Sequence, residues 1–131
     1  MRILLLCTAL TLASCSSQTA TLPLDQTDYT GTWRGTYTLD KKPAIGQQVN
    51  LVTLTLSKSA AGFTGVEVLD GIGIACDATL TVKGNTGTYL CSTTFTTTNV
   101  AITLESSSRF TGKFTGNGQT SFDGSVVFIK Q

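Results

Sequence analysis

Histidine is absent from this 131-residue sequence, and charged residues supply only 13% of it. The chain therefore lacks the commonest general base of hydrolytic enzymes and the commonest metal-binding side chain. Nine basic residues stand against eight acidic ones, so no basic excess is present to bind nucleic acid. No serine lies in a nucleophile-elbow motif. These absences predict a protein that is not an enzyme, uses no cofactor or metal and binds no nucleic acid.

Long hydrophobic runs are also missing, although the amino terminus carries a short one. Arg2 is followed by the uncharged run ILLLCTALTLA over residues 3–13. A bilayer-spanning helix needs about 20 apolar residues, so this run is too short to span. A basic start, a short apolar core and small residues after it are typical of a secretory signal. We interpret residues 1–14 as a signal peptide rather than a core helix of the folded domain.

The residues at the end of this segment, Leu12-Ala13-Ser14-Cys15, resemble the bacterial lipobox. The resemblance implies that Cys15 receives a diacylglycerol and becomes the first residue of the mature protein. Its new amine then takes a fatty acyl chain such as palmitate, and several acyl chains together anchor a protein stably. This implies a cell-envelope lipoprotein, and Ser16 implies the outer membrane if the host is Gram-negative. The alternative is an ordinary secretory signal with Cys15 in a disulfide.

Cysteine is scarce in the remaining chain. Once Cys7 leaves with the signal and Cys15 carries lipid, only Cys76 and Cys91 remain. An even pair in an oxidising compartment predicts a disulfide, with two free buried thiols as the alternative. Depending on the turn at residues 83–85, the two cysteines lie directly opposite or diagonally on neighbouring strands. The short loop that the bond closes would stabilise the fold by about 3 kcal/mol.

The mature chain divides into a tether and one β domain. Residues 15–28 carry the lipidated cysteine and a flexible, Ser/Thr-rich tether. From residue 29 to 131 the hydrophobicity repeats every two residues, which indicates β-strands, and no helical stripe is visible. We predict eight strands, over residues 30–39, 48–58, 62–69, 72–82, 86–93, 97–105, 109–115 and 120–130.

Two of these strands contain residues of special interest. In the fourth, Ile72 and Ile74 share the parity of Cys76 and are expected to face inward. In the third, Glu67 shares a face with Phe63 and could point inward as well. Val66 and Val68 compete for the core face, so both orientations of Glu67 stay open.

A short motif recurs along the strands: an aromatic residue, one further residue, then glycine. It occurs at Phe63-Thr64-Gly65, Phe110-Thr111-Gly112, Phe114-Thr115-Gly116 and Phe122-Asp123-Gly124. Large and small residues that alternate along an inner face fill a curved interior, and glycine permits sharp coiling. The pattern predicts an all-β fold, a small eight-stranded antiparallel up-and-down barrel. The alternative is an immunoglobulin-like β-sandwich.

The first predicted strand begins Gly31-Thr32-Trp33, which resembles the opening of calycins, the group that contains lipocalins and avidins. The aromatic-x-glycine repeats are also similar to avidin strands. The resemblance implies a calycin-like barrel architecture. It implies no particular ligand, because avidin-type biotin sites use several tryptophans and this chain has one.

Two functions follow from this picture. The first is a non-catalytic, membrane-anchored envelope lipoprotein with a structural role or a protein partner, which a fully packed interior favours. The second is a binding module for a small hydrophobic or amphipathic ligand, which an open mouth lined by Trp33, Tyr37 and Phe63 would favour. The first is preferred on sequence, because a barrel of about a hundred residues leaves little room for a large cavity.

The anchoring hypothesis makes a direct prediction. Replacement of Cys15 by serine removes the thiol that accepts the lipid, so the Cys15→Ser protein should leave the membrane fraction. The measurement is detergent phase partitioning of the expressed protein, with Cys7→Ser as the control that should still partition into detergent. Unchanged partitioning of Cys15→Ser would overturn the anchor.

Overall fold

The computed structural model describes residues 22–118 and 121–131. The signal peptide, the lipobox Leu12-Ala13-Ser14-Cys15 and the first part of the tether lie outside the described residues, so these assignments stay predictions. A short 3₁₀ helix over Leu24–Gln26 precedes eight strands. The strands are β1 Gly31–Leu39, β2 Val49–Ser59, β3 Gly62–Leu69, β4 Ala75–Lys83, β5 Thr86–Ser92, β6 Thr97–Ser106, β7 Arg109–Asn117 and β8 Phe122–Lys130. Within these ranges, no helix is long and apolar enough to cross a bilayer.

The eight strands form a closed antiparallel barrel with up-and-down topology. Each strand pairs with its neighbours in sequence, and β1 completes the ring by pairing with β8, Gly35 opposite Phe128. The predicted all-β barrel is confirmed. The alternative of a β-sandwich is wrong, because the pairing of β1 with β8 leaves none of these strands with a free edge.

Strand β4 begins later than the sequence pattern predicts. Ile72 and Ile74 were expected on the inner face of this strand, but both lie in the connection from β3 and are more than half exposed. Gly71 and Gly73 have positive φ angles there, and the Gly73 amide donates to the Leu69 carbonyl. These turns reverse the chain before β4 starts, so parity along 72–82 does not bury its first residues: Ile72 is exposed, and Ile74 is exposed at the cavity entrance.

Two aromatic residues of the repeated motif lie directly opposite glycines of the neighbouring strand. Phe114 of β7 faces Gly124 of β8, and Gly116 of β7 faces Phe122 of β8. At both glycines an added Cβ atom would collide with the facing ring. The interior therefore accepts a large side chain on one strand because its partner strand has none.

One end of the barrel is closed by the residues that precede β1. The Tyr29 hydroxyl donates to the Leu24 carbonyl at 2.7 Å, and the buried Trp33 indole donates to the Tyr29 carbonyl at 2.9 Å. Asp25 accepts from the amide of Gly84 in the β4–β5 turn. The 3₁₀ helix thus lies across this end, which we call the closed end. The folded part of the chain accordingly begins before residue 29, inside the segment assigned to the tether.

The opposite end, which we call the mouth, is surrounded by the longer connections. They are residues 40–48 between β1 and β2, 70–74 between β3 and β4, and 93–96 between β5 and β6, together with the mouth-side ends of β7 and β8. The described carboxyl terminus lies at the closed end, because the Gln131 amide donates to the Thr32 carbonyl on β1. Both described ends of the chain are therefore remote from the mouth.

The glycine–aromatic pairing predicts a cost for adding a methyl group. In Gly124→Ala the new Cβ would meet the Phe114 ring and the Thr38 carbonyl. We expect a loss of about 1–3 kcal/mol in the free energy of unfolding, measured by urea titration. Ser125→Ala, one position along on the other face, should change it by less than about 0.5 kcal/mol. Equal stabilities for the two variants would contradict this account of the motif.

A cavity at the mouth with a buried carboxyl group

The mouth opens into a cavity of about 380 Å³ inside the barrel. An eight-stranded barrel is just wide enough to be filled by side chains or to hold one small ligand. Here the half next to the closed end is filled and the half next to the mouth is hollow. The lining residues are Tyr37, Leu39, Pro43, Asn50, Val52, Glu67, Leu69, Ile74, Ala75, Cys76, Cys91, Thr93, Thr96, Thr98, Phe114 and Phe122.

Of the three residues expected to line a ligand site, the structure places only Tyr37 at the cavity. Trp33 is fully buried near the closed end, 5.1 Å from the Phe110 ring centroid. Phe63 packs edge-to-face on Tyr29 at the same end. Position along the barrel separates Trp33 and Phe63 from the cavity. Trp33 and Tyr37 share a face, but four residues of strand separate them by about 13 Å.

Glu67 of β3 points into the barrel, which the sequence left open. Its side chain is only 7% exposed and forms part of the cavity lining. The hydroxyl of Tyr37 donates to Glu67 Oε2 at 3.1 Å, and the hydroxyl of Tyr89 donates to the same oxygen at 2.5 Å. Tyr89 reaches Glu67 from β5 and Tyr37 reaches it from β1. Two phenols from separate strands therefore hold one carboxyl oxygen of the glutamate.

The other carboxyl oxygen has a different environment. Glu67 Oε1 lies 3.6 Å from the Cys91 sulfur and 3.9 Å from the Cys76 sulfur. Cys76 and Cys91 form a disulfide, with Cα atoms 5.6 Å apart. Disulfide sulfurs carry no hydrogen, so neither can donate to Oε1. Cys91 pairs opposite Ala78, which makes it the diagonal neighbour of Cys76, the second of the two predicted registers.

Burial controls the protonation of Glu67, Tyr37 and Tyr89. Removal from water raises the pKa of Glu67, and the two tyrosine hydrogen bonds oppose that rise by stabilising the charged form. Burial and the neighbouring carboxyl group also raise the pKa of Tyr37 and of Tyr89. Both phenols therefore keep their protons at neutral pH and act as donors to Glu67.

Glu67 and the two cysteines beside it are residue types that can bind metal ions. Oxygen and sulfur atoms of Glu67, Cys76 and Cys91 lie within 4.8 Å of one another. Metal binding by cysteine requires the thiolate, and the disulfide consumes both thiols. In the oxidised state the disulfide instead forms an inert, polarisable wall beside the carboxyl group.

Three connections at the rim of the mouth each expose a large apolar side chain. Ile45 and Phe95 are 92% and 86% exposed, and Ile72 is 66% exposed. These three residues lie in three different connections around the mouth. Exposed apolar groups of this size, collected at a cavity entrance, are typical of a surface that contacts an apolar molecule.

The raised pKa of Glu67 predicts a pH-dependent stability. A folded-state pKa above the ordinary value of about 4.3 means that the folded protein binds this proton more tightly than the unfolded chain. Stability should therefore fall as pH rises through the interval between the two values, and then level off. The Glu67→Gln variant does not titrate here. Between low pH and pH values above the folded-state pKa, the free energy of unfolding of Glu67→Gln should rise relative to that of the native protein. The rise should be about 1.4 kcal/mol for each unit by which the folded-state pKa exceeds the unfolded value.

This prediction is checked by urea unfolding of both proteins over a series of pH values. Asp123→Asn, which removes an exposed carboxyl group of β8, is the control. Parallel stability curves for Glu67→Gln and the native protein would show that Glu67 titrates normally.

No protein-family model, curated protein or solved structure matches the chain. What the cavity can do is therefore inferred from its own residues. It can exclude water from an apolar group, offer threonine and asparagine side chains near the mouth, and present a buried acid at its base.

Proposed function

We propose that the barrel binds a small apolar or amphipathic molecule in the cavity at its mouth. The observation that carries the proposal is the cavity itself, about 380 Å³ and open at one end of a barrel whose other end is closed. Ligand sites in proteins are typically concave, about 300–1,000 Å³, mostly apolar and equipped with a few convergent polar groups. Tyr37, Phe114 and Phe122 supply aromatic walls, and Glu67 supplies the polar group.

The specific partners of Glu67 indicate that the cavity is a defined feature of the fold and does not result from incomplete packing. An acid in an apolar interior has a large desolvation cost unless it is paired. Glu67 is held by tyrosines from two other strands, so the fold places an acid at this position with specific partners. A barrel that served only as a rigid spacer would be more stable with an apolar side chain there.

The apolar rim supports the entry of an apolar molecule from the same end. Ile74 lines the cavity and also a second hollow, outside the mouth, that Phe95 lines. Ile74 therefore contributes apolar surface both to the cavity and to the hollow beside it. The rim also favours a second candidate function, docking to another envelope protein, since exposed apolar residues commonly mark interaction surfaces.

The only support for membrane anchoring is the resemblance of residues 12–15 to the lipobox. We propose an envelope lipoprotein whose ligand-binding barrel is held at the membrane by the acylated Cys15, in the outer membrane if the host is Gram-negative. The structural role preferred on sequence presupposes a filled barrel. The hollow half supports the ligand-binding alternative.

Indole, a neutral apolar probe, tests binding at the cavity. Amide resonances of Tyr37, Phe114 and Phe122 should shift on titration, while those of Trp33 and Phe63 should not. Thr98 is a cavity residue on β6, and Thr98→Trp should fill the mouth and abolish the shifts. Asn99→Trp, one residue along and exposed, is the matched control that should preserve them.

Native mass spectrometry of the domain purified from its own host identifies the natural ligand. We expect an added mass that disappears on denaturation and is absent from Thr98→Trp. A bare mass together with no indole shifts at the cavity residues would overturn the proposed function and leave the docking role.

A further inference from the structure

We propose that the cavity selects a ligand with a protonated amine, which pairs with Glu67 at the base while the apolar part of the ligand fills the mouth. This inference rests on the proposed function and specifies its ligand class. Its support comes from the acceptor geometry of Glu67, the charge of the cavity and the aromatic walls.

Among the residues that the structure describes, none donates a hydrogen bond to one of the two carboxyl oxygens of Glu67. Tyr37 and Tyr89 together use the two lone pairs of Oε2. Oε1 has only the disulfide sulfurs beside it, and Cys76 and Cys91 themselves line the cavity. Oε1 is therefore the acceptor on the side of the cavity, and a ligand donor can reach it without displacing a protein group.

The cavity has no positive charge of its own. Among the described lining residues Glu67 is the single carboxylic acid, and no lysine or arginine is present. The groups that face Glu67 from neighbouring elements are the phenols of β1 and β5 and the disulfide that joins β4 to β5. A buried carboxylate requires a compensating charge or a proton. A cationic ligand supplies the charge that the chain does not.

The aromatic side chains favour the same ligand class. Tyr37, Phe114 and Phe122 line the cavity together with Glu67, and Phe114 packs on Tyr37 with ring centroids 5.0 Å apart. Aromatic faces attract organic cations, most strongly where water is excluded. The Glu67 carboxylate and the aromatic rings that line the same cavity form a complementary environment for an alkylammonium group.

The volume restricts the ligand to a small molecule. At roughly 30 Å³ for a water-sized group, 380 Å³ holds roughly a dozen such groups. Tryptamine, tryptophol and indole-3-acetate are therefore suitable probes. They share an indole frame and differ chiefly in a side chain that is cationic, neutral or anionic at neutral pH.

Calorimetric titration of the three probes into the unlipidated domain tests the ligand class. We expect tryptamine to bind at least tenfold more tightly than tryptophol at neutral pH, and indole-3-acetate to bind most weakly. In Glu67→Gln the advantage of tryptamine over tryptophol should disappear. Thr98→Trp should weaken all three probes, and Asn99→Trp should weaken none.

The pH dependence gives a readout that needs no variant. Acidification protonates Glu67 and removes its charge, while the amine of tryptamine stays protonated. Tryptamine affinity should fall as pH drops through the Glu67 pKa, and tryptophol affinity should stay constant. Where Glu67 is protonated in the free protein, tryptamine binding should release a proton, seen as a binding enthalpy that depends on the buffer.

The outcomes separate this inference from the proposed function. Equal affinity for tryptamine and tryptophol, or a preference for indole-3-acetate, overturns the amine class while ligand binding stands. A tryptamine preference that persists in a folded Glu67→Gln protein, or that ignores pH, also overturns it. If no probe, indole included, binds at the cavity, the proposed function falls as well.

Discussion

The pairing of bulky rings with glycines across neighbouring strands is the constraint on which this structure depends. Eight strands enclose a narrow interior, and at Gly116 and Gly124 even an added Cβ atom would collide with the facing ring. Phe114 opposite Gly124 and Phe122 opposite Gly116 resolve this conflict on the same pair of strands. The rings fill the volume that the glycines vacate, and the ring of strands can close without free edges. Closure in turn fixes which residues converge inside, including those that arrive from distant parts of the chain.

The interior is divided along the barrel axis. Near the closed end, Tyr29, Trp33 and Phe110 pack as in an ordinary protein core and exclude even small ligands. Near the mouth the volume is hollow, and Glu67 lies between the two regions with tyrosines as its partners. An acid placed at this boundary is shielded from bulk water but remains within reach of a molecule that enters the mouth.

Sequence periodicity predicted the strands well, because each strand has one buried and one exposed face and the alternation is local. Alternation shows which face of a strand a residue is on, but not its position along the barrel axis. Trp33 and Tyr37 therefore look equivalent in the sequence, although only Tyr37 lines the cavity. The orientation of Glu67 was undetermined for a related reason. Its partners Tyr37 and Tyr89 are 30 and 22 residues away in sequence, and no local pattern reveals such contacts. For Ile72 and Ile74 the alternation predicted strand residues, but the turns at Gly71 and Gly73 place both residues before β4 begins.

The location of both described chain ends at the closed end has a practical consequence for protein engineering. A fusion partner, an affinity tag or a surface linker joined after Gln131 would extend from the side opposite the mouth. The barrel could thus be immobilised on a sensor chip, or inserted into a reporter, with its opening directed toward the sample. Circular permutation through a linker between residues near Tyr29 and Gln131 would create new termini at a mouth loop. Such a permutant would carry a reporter at the entrance of the cavity.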